Sequence, residues 1–329
     1  MRIIIYGAGA IGSVIGGHLW RNGQEVVLIG RPGHVEAIKQ HGLNLITPSG
    51  TFNLLVPAVT SPNMIDFRAD DVVFLCMKGQ NTEEALRDLK STTTDLPIFC
   101  VQNGIRNEEI ATMYFPKVYG VMVRLGAEYL TAGEVICRRD PPGLLVMGKY
   151  PQGLDSLCEA VAQTIKKAGI LVHTTSDVMP YKWGKLLSNL GNSVEAITGA
   201  GSHGSELIIQ AVEREFKELL PLADLSWICQ EDVNSQWPEL VHPSGGSLKP
   251  ITGSSTSQSL ARQQGSVESE FLNGEIVRLA KKLGKTAPVN AKLAAISQEM
   301  AVNHEKPGKF IPQQLAALLG ITFHNKEGD

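Results

Sequence analysis

Residues 3–12 read IIIYGAGAIG, and residues 26–34 read VVLIGRPGH. The first stretch joins an apolar run to a glycine-rich turn, and the residues between the two stretches are predicted to form a helix. Together they predict a strand, a glycine loop, a helix and a second strand in one βαβ unit. Gly7 permits the tight turn, Gly9 lets the backbone approach a pyrophosphate, and Gly12 lets the helix pack closely on the sheet. The pattern is typical of a dinucleotide-binding loop, formed here by Gly7, Ala8, Gly9, Ala10, Ile11 and Gly12.

The type of residue just after the second predicted strand indicates whether NAD or NADP binds. A carboxylate at this place would bind the ribose 2′-hydroxyl of NAD, whereas Arg31 offers a guanidinium to the 2′-phosphate of NADP. An arginine at a strand end can also be an ordinary solvated side chain. With no acidic residue there, the sequence favours NADP.

The composition narrows the classes of partner. The chain has 329 residues, 43% of them hydrophobic, and a formal net charge of −3. This acidic balance offers no basic surface, so we expect neither nucleic acid nor a membrane as a partner. Met1 lies two residues before the first predicted strand, which leaves no room for a signal peptide, and no later stretch reaches the roughly 18 apolar residues of a membrane span. We therefore expect a cytoplasmic protein.

The five cysteines are odd in number and scattered, with no CxxC pair. We expect reduced, mostly buried thiols, with neither a disulfide framework nor a metal site.

Strand-like runs recur through the first half of the chain, and helical periodicity dominates the second. The early runs alternate with helical segments, which is typical of a parallel doubly wound sheet, while the later ones follow too quickly for crossover helices and predict an antiparallel or mixed edge. We predict an α/β fold with a Rossmann-type domain over 1–176 and an all-helical C-terminal domain over 177–329. Within the latter, 230–258 is predicted to form a long irregular connection that can line a site. The predicted strands are 3–6, 26–29, 72–77, 98–101, 118–123, 134–137, 144–147 and 170–174.

Polar residues follow two of these strands, where an open α/β sheet binds its ligands. Lys78 can reach a cofactor phosphate or ribose, and Asn103 can present its amide to the nicotinamide or to the substrate. Each can equally be a plain surface loop residue.

A second group lies at the start of the helical half. Lys185, Asn189 and Asn192 have helical spacing and are predicted to share one face, where the amides need hydrogen-bond partners that a polar substrate would supply. A solvated helix face is the alternative. A lysine in a closed site can protonate a carbonyl oxygen as hydride arrives. Glu268 can orient such a lysine, bind the nicotinamide ribose, or simply favour a helix N-terminus.

Taken together, these features resemble the ketopantoate reductase (2-dehydropantoate 2-reductase) family over almost the whole chain. Six ordered motifs are far more specific than any one alone. They are GAGAIG at 7–12, LIGRPGH at 28–34, CMKGQNT at 76–82, VQNG at 101–104, KWGKLLSNL at 182–190 and ESEFLNGEIVRLAKKLGKTAPVN at 268–290.

The resemblance implies NADPH-dependent reduction of 2-dehydropantoate to D-pantoate, a step of pantothenate and coenzyme A biosynthesis. It assigns the loop glycines, Arg31 and Lys78 to NADPH, and Asn103 to both cofactor and substrate. Lys185 becomes the proton donor, Asn189 holds the substrate, and Glu268 assists at the nicotinamide. Ala127 falls about where the family backbone meets the nicotinamide. We expect a small-molecule 2-oxo acid substrate and allow for a homodimer.

Two departures from the family pattern bear on the substrate. Ser193 stands where a second asparagine is common, and Ser255, Thr256 and Ser257 replace a Ser-Met pair and a nearby acidic residue. We expect Ser193, Ser255 and Thr256 at the substrate. The alternatives are a reductase of another 2-oxo acid or a dehydrogenase of a D-2-hydroxy acid on the same fold, and an NADP-sensing protein without turnover. Retention of Lys185, Asn189 and Glu268 disfavours the sensor.

Overall fold

The computed structural model of the protein describes residues 1–93, 95–129, 131–249, 253–263 and 265–322. The chain divides into two compact units, one of residues 1–182 with 228–249, the other of 183–227 with 250–329. The division therefore falls inside a helix and six residues beyond the predicted boundary at 176. The predicted helical domain is also interrupted, because 228–249 belongs to the first unit.

The first unit contains an eight-stranded sheet in the order β12-β11-β8-β7-β6-β1-β2-β5. All neighbouring pairs are parallel except β8 and β11, which are antiparallel. The predicted parallel sheet with a mixed edge is thus confirmed. Its strands are β1 (Arg2–Tyr6), β2 (Val26–Ile29), β5 (Ala58–Val59), β6 (Asp71–Leu75), β7 (Ile98–Val101), β8 (Val118–Leu125), β11 (Gly143–Lys149) and β12 (Leu171–Thr174).

A second sheet of four strands has the order β4-β3-β10-β9. It takes the predicted strand 134–137 out of the main sheet, and its other members were not predicted. Sequence patterning missed them because they are partly exposed and lack the continuous apolar runs of the main sheet, and β4 has no fully buried residue. The strands are β3 (Leu43–Thr47), β4 (Gly50–Leu54), β9 (Ala127–Tyr129) and β10 (Glu134–Cys137).

The main sheet is buried on both faces, as its continuous apolar strands require. Ile3 and Ile5 belong to one core cluster, and Ile4, between them, belongs to the cluster on the opposite face. The helices of this unit are α1 (Ala10–Arg21), α2 (Pro32–His41), α3 (Thr82–Lys90), α4 (Asn107–Thr112) and α5 (Ser156–Lys167), with α6 (Met179–Asn189) crossing the boundary between the units.

The segment 228–249, which covers most of the irregular connection predicted over 230–258, is a packed part of the first unit and includes a helix at Gln230–Gln236. Val233 and Leu240 lie in one buried cluster with Met122 and Leu144 of the sheet. The backbone N–H of Leu248 donates to the Arg138 carbonyl at 2.8 Å. Apolar side chains spaced too irregularly to show a period therefore hold this segment on the sheet.

The second unit is helical within the part of the chain that the structure describes. Leu186, Leu190, Val194 and Leu293 are fully buried in it. Its further helices are α7 (Gly191–Thr198), α8 (Glu206–Leu222), α10 (Ser255–Ala261), α11 (Asn273–Lys282), α12 (Pro288–Val302) and α13 (Pro312–Leu319), while α9 (Gln230–Gln236) lies in 228–249. Among the described residues, no helix combines the length and apolar character needed to cross a membrane.

Candidate functional site

The glycine loop has the backbone shape that a dinucleotide requires. Gly7 has φ +108°, and a Cβ there would lie 2.5 Å from the Met77 backbone nitrogen. A Cβ on Gly12 would lie 2.3 Å from the Gly7 carbonyl oxygen, whereas one on Gly9 would meet nothing within 4 Å. Gly9 is the N-cap of α1 and makes no side-chain cap. The loop therefore leaves open space in front of a helix N-terminus, which fits a pyrophosphate.

Two basic residues lie along the same edge of the sheet as this loop. Arg31 follows β2 as the N-cap of α2 and is exposed, and Lys78 follows β6 by three residues. Because β6, β1 and β2 are parallel neighbours, their carboxyl ends meet at one edge. The structure thus brings the predicted Arg31 and Lys78 to either side of the glycine loop.

His34 connects this loop region to the second sheet. Its Nδ1 accepts the Gly133 backbone N–H at 2.9 Å, and its Nε2 lies 3.2 Å from Ser13 Oγ. Burial lowers the pKa of His34. A neutral ring with the proton on Nε2 satisfies both bonds, so this imidazole is a buried structural group.

The segment that carries Asn103 is fixed by buried hydrogen bonds. Gln102 Nε2 donates to the Met77 carbonyl and to Thr82 Oγ1, each at 2.8 Å. Asn107 Nδ2 donates to the Asn103 carbonyl at 2.9 Å, and Thr82 Oγ1 donates to Asn107 Oδ1 at 2.8 Å. These bonds join the loop after β6 to the loop after β7. They hold the Asn103 backbone at the carboxyl edge of the sheet.

A buried ion pair supports the same segment. Lys182 Nζ contacts Glu108 Oε1 and donates to the Gln102 carbonyl at 3.2 Å, and both charged side chains are at most 1% exposed. Burial raises the pKa of Glu108, and the Lys182 ammonium opposes that rise. Sequence reasoning missed this pair because its members lie 74 positions apart. Glu108 stands beside Asn107 and Glu109, so the local sequence carried no signal that this carboxylate is buried.

Among the predicted substrate residues, Asn189 has the surroundings most typical of a side chain that binds a ligand. It is 6% exposed, and its Nδ2 has no hydrogen-bond partner among the described residues. Lys185 lies four residues earlier on α6, so the two side chains share a helix face. A buried amide N–H without a partner is costly unless a ligand supplies an acceptor.

The positions and contacts of two residues close to Asn189 differ from the predicted ones. The helix breaks after Asn189, so Asn192 lies on α7 and not on the face of α6; its Nδ2 donates to Ser255 Oγ at 3.4 Å. Ser193 is fully buried and donates to Asn273 Oδ1 at 2.7 Å. The Ser193 hydroxyl proton is therefore used inside the helical unit, which leaves only the lone pairs of its oxygen for the predicted substrate contact.

Asn273 is the centre of a buried polar network in that unit. Its Nδ2 donates to the Leu190 carbonyl at the helix break (3.2 Å) and to Asn290 Oδ1 (2.9 Å). Asn290 Nδ2 in turn donates to Glu215 Oε2 at 2.8 Å. The network links Ser193 of α7, Asn273 of α11, Asn290 of α12 and Glu215 of α8, and it gives each of them a protein partner.

The remaining predicted residues lie in three different settings. Ser255 begins α10, where Thr256 is 2% exposed; the preceding Ser254 N–H donates to Glu195 Oε1 at 2.8 Å. Glu268 is 9% exposed and caps a short 3-10 helix (Ser269–Phe271), so it precedes the amphipathic helix α11 and does not begin it. Ala127 opens β9 and pairs with Cys137, two residues after β8 ends.

Known proteins match this chain over most of its length. The family model described as ketopantoate reductase PanE/ApbA matches residues 3–152, and the model of its C-terminal part matches 177–301. The chain is 32% identical over 301 residues to a 2-dehydropantoate 2-reductase of Pyrococcus horikoshii, covering 90% of this chain and 96% of the relative.

Solved structures give the same result at the level of the fold. A PanE/ApbA family ketopantoate reductase from Ralstonia eutropha aligns with TM-score 0.77 and 29% identity over 92% of this chain and 99% of that one. A D-mandelate dehydrogenase solved with NADH and anilino(oxo)acetate also aligns with TM-score 0.77, at 23% identity and the same coverage.

Proposed function

The chain belongs to the ketopantoate reductase family, and from this premise we propose that it reduces 2-dehydropantoate to D-pantoate with NADPH. The keto carbon receives a hydride and the keto oxygen a proton, which makes the new hydroxyl group. When bound, NADPH supplies the hydride. The observation that carries the proposal is the buried Asn189 amide, whose Nδ2 lacks a partner among the described residues and shares a helix face with Lys185.

The cofactor is held by residues at the carboxyl edge of the sheet. The loop over 7–12 accommodates the pyrophosphate, since a Cβ at Gly7 or Gly12 would collide with backbone while Gly9 faces open space. Arg31 pairs with the 2′-phosphate, and Lys78 with phosphate or ribose. Asn103 and the backbone near Ala127 meet the nicotinamide end. The nicotinamide dinucleotide is thus NADP in preference to NAD.

The substrate is held and protonated by residues of the helical unit. The Lys185 ammonium donates a proton to the keto oxygen, and its charge stabilises negative charge that develops there. The Asn189 amide donates to the substrate, which supplies the missing acceptor. Glu268 orients groups at the nicotinamide side, and the hydroxyls of Ser255 and Thr256 contribute polar contacts to the substrate.

A second candidate is reduction of a different 2-oxo acid. It is favoured by Ser193, whose hydroxyl donates to Asn273 and so does not replace the second asparagine common in the family. A pocket with one fewer amide discriminates less against substrates that lack a terminal hydroxyl.

An absorbance assay of NADPH consumption with a panel of 2-oxo acids tests both candidates. We expect the highest kcat/KM with 2-dehydropantoate. A higher value with pyruvate, 2-oxoisovalerate or phenylglyoxylate would select the second candidate. Tight NADPH binding without reduction of any panel member would contradict both and favour a sensor.

The cofactor preference is tested at Arg31. Arg31→Ala is expected to weaken NADPH binding by about 1–3 kcal/mol, because a charge-assisted hydrogen bond to the 2′-phosphate is lost, and to leave NADH binding nearly unchanged. Fluorescence titration measures both affinities. Arg87→Ala, at an exposed position of α3, is the matched control. Equal affinity of the parent for NADPH and NADH would rule out the preference.

A further inference from the structure

Arg124 lies at the carboxyl edge of the main sheet, close in topology to Asn103. It is the penultimate residue of β8, and β8 is the parallel neighbour of β7, with Val101 opposite Val121. Asn103 follows Val101 by two residues, and Arg124 follows Val121 by three. Arg124 near the end of β8 and Asn103 just after β7 therefore lie at the same edge of the sheet, on adjacent strands.

The Arg124 guanidinium has no anionic partner among the residues that the structure describes. It is half-buried, and its Nη1 is shielded from solvent with no hydrogen-bond partner among the described residues. The neighbouring arginines do have partners: Arg138 forms an ion pair with Glu128, and Arg139 donates to the Leu240 carbonyl. Burial and the Arg139 charge lower the pKa of Arg124. A shielded cation beside a like charge is costly unless an anion compensates it.

Arg124 is far enough from the glycine loop that an anion bound to it would not be a cofactor pyrophosphate. The order β8-β7-β6-β1 puts three strand spacings between Arg124 and the strand that enters the glycine loop. At about 4.8 Å per spacing, this is roughly 14 Å across the sheet. The pyrophosphate belongs at the loop, whereas Arg124 is beside the strand that carries Asn103.

We propose that Arg124 binds the carboxylate of the 2-oxo acid. A guanidinium presents paired N–H donors that match the two oxygens of a carboxylate. The inference deepens the proposed function and rests on it, because it names the group of the substrate that this residue recognises. Arg124 thereby selects 2-oxo acids over neutral ketones.

The test compares a 2-oxo acid with its methyl ester, which keeps the ketone and removes the charge. In Arg124→Gln, kcat/KM for the acid is expected to fall roughly 10- to 100-fold, the range for one charged hydrogen-bonding group. The value for the ester should change less than about threefold, so the preference for the acid falls. NADPH affinity should be unchanged. Arg68→Gln, at an exposed ion pair with Glu25, is the control and should keep the parent preference.

Equal losses for acid and ester in Arg124→Gln would show a structural role and overturn the proposal. If that variant does not fold, Arg124→Met removes the charge while keeping a long unbranched side chain; an unchanged preference for the acid there would overturn the proposal as well. If the parent reduces no 2-oxo acid, the proposed function fails. Calorimetric titration with the unreactive anion oxamate then tests whether Arg124 forms an anion site. Oxamate binding that weakens at least tenfold in Arg124→Gln supports the anion site, and absent or equal binding refutes it.

Discussion

Lys185 is the side chain on which the chemistry of the proposed reaction depends. Replacing it by alanine removes both the proton donor and the positive charge near the keto oxygen. We expect kcat to fall by roughly two to four orders of magnitude with NADPH affinity retained. Steady-state kinetics and a fluorescence titration of NADPH measure the two effects.

Lys217→Ala is a control for this substitution, because Lys217 is half-exposed on α8 and pairs with Glu213. It should turn over like the parent. If Lys185→Ala retained kcat within about threefold of the parent, another residue would have to be the proton donor.

At the scale of single residues, residue type and spacing identified the candidate substrate-binding residues but not their hydrogen-bond partners. Asn189 and Ser193 are both polar positions in an apolar helical stretch, and both were predicted to meet the substrate. The structure separates them, because Asn189 Nδ2 has no partner among the described residues while Ser193 donates to Asn273. The acceptor lies 80 positions away in sequence, so no local pattern could have revealed it.

At the scale of elements, the packing of α7, α8, α11 and α12 depends on the network centred on Asn273. Asn273→Ala would leave the Ser193 hydroxyl, the Leu190 carbonyl and Asn290 Oδ1 without this partner. We expect the free energy of unfolding to fall by about 2–4 kcal/mol, because buried polar groups left unpaired carry a desolvation cost. Urea denaturation followed by circular dichroism measures it.

Asn303→Ala provides the comparison, since Asn303 is an exposed residue at the end of α12. It should change the free energy of unfolding by less than about 0.5 kcal/mol. Similar values for the two variants would mean that water replaces the lost bonds of Asn273.

At the scale of the whole molecule, buried histidines make stability depend on pH. Burial lowers the pKa of His18 to about 4, with a smaller contribution from the Arg21 charge, and burial also lowers that of His34. The unfolded chain takes up these protons below pH of about 6.5, while the folded chain resists them. The stability that His18 contributes is therefore lost as the pH falls from about 6.5 to about 4.

The loss of stability attributable to His18 is expected to be about 1–3.5 kcal/mol, the upper value following from about 1.4 kcal/mol per pKa unit. Urea denaturation of the parent and of His18→Gln across this pH range measures it. The variant should lose less stability than the parent on acidification, because glutamine takes up no proton. Parallel pH curves for the two proteins would disprove the role of His18.

The sequence alone determined the class of fold, the glycine loop and the family, because each depends on a local pattern. The apolar period indicates the class of fold, the glycines at turn positions indicate the loop, and the ordered short motifs indicate the family. It also placed Arg31, Lys78 and Asn103 at strand ends, and the parallel order of β6, β1 and β2 then brings the first two beside the loop. Local patterns suffice here because apolar periodicity and glycine positions are visible within a few consecutive residues.

Only the tertiary structure decided which polar groups are satisfied and where 228–249 belongs. That segment has no clear period, and it joins the first unit through apolar contacts with β8 and β11. Arg139 reaches its partner Leu240 across 101 positions, while Arg124 of β8 keeps a shielded Nη1 without a hydrogen-bond partner among the described residues. Burial and pairing arise from contacts between residues far apart in sequence, so they become defined only when the chain is folded.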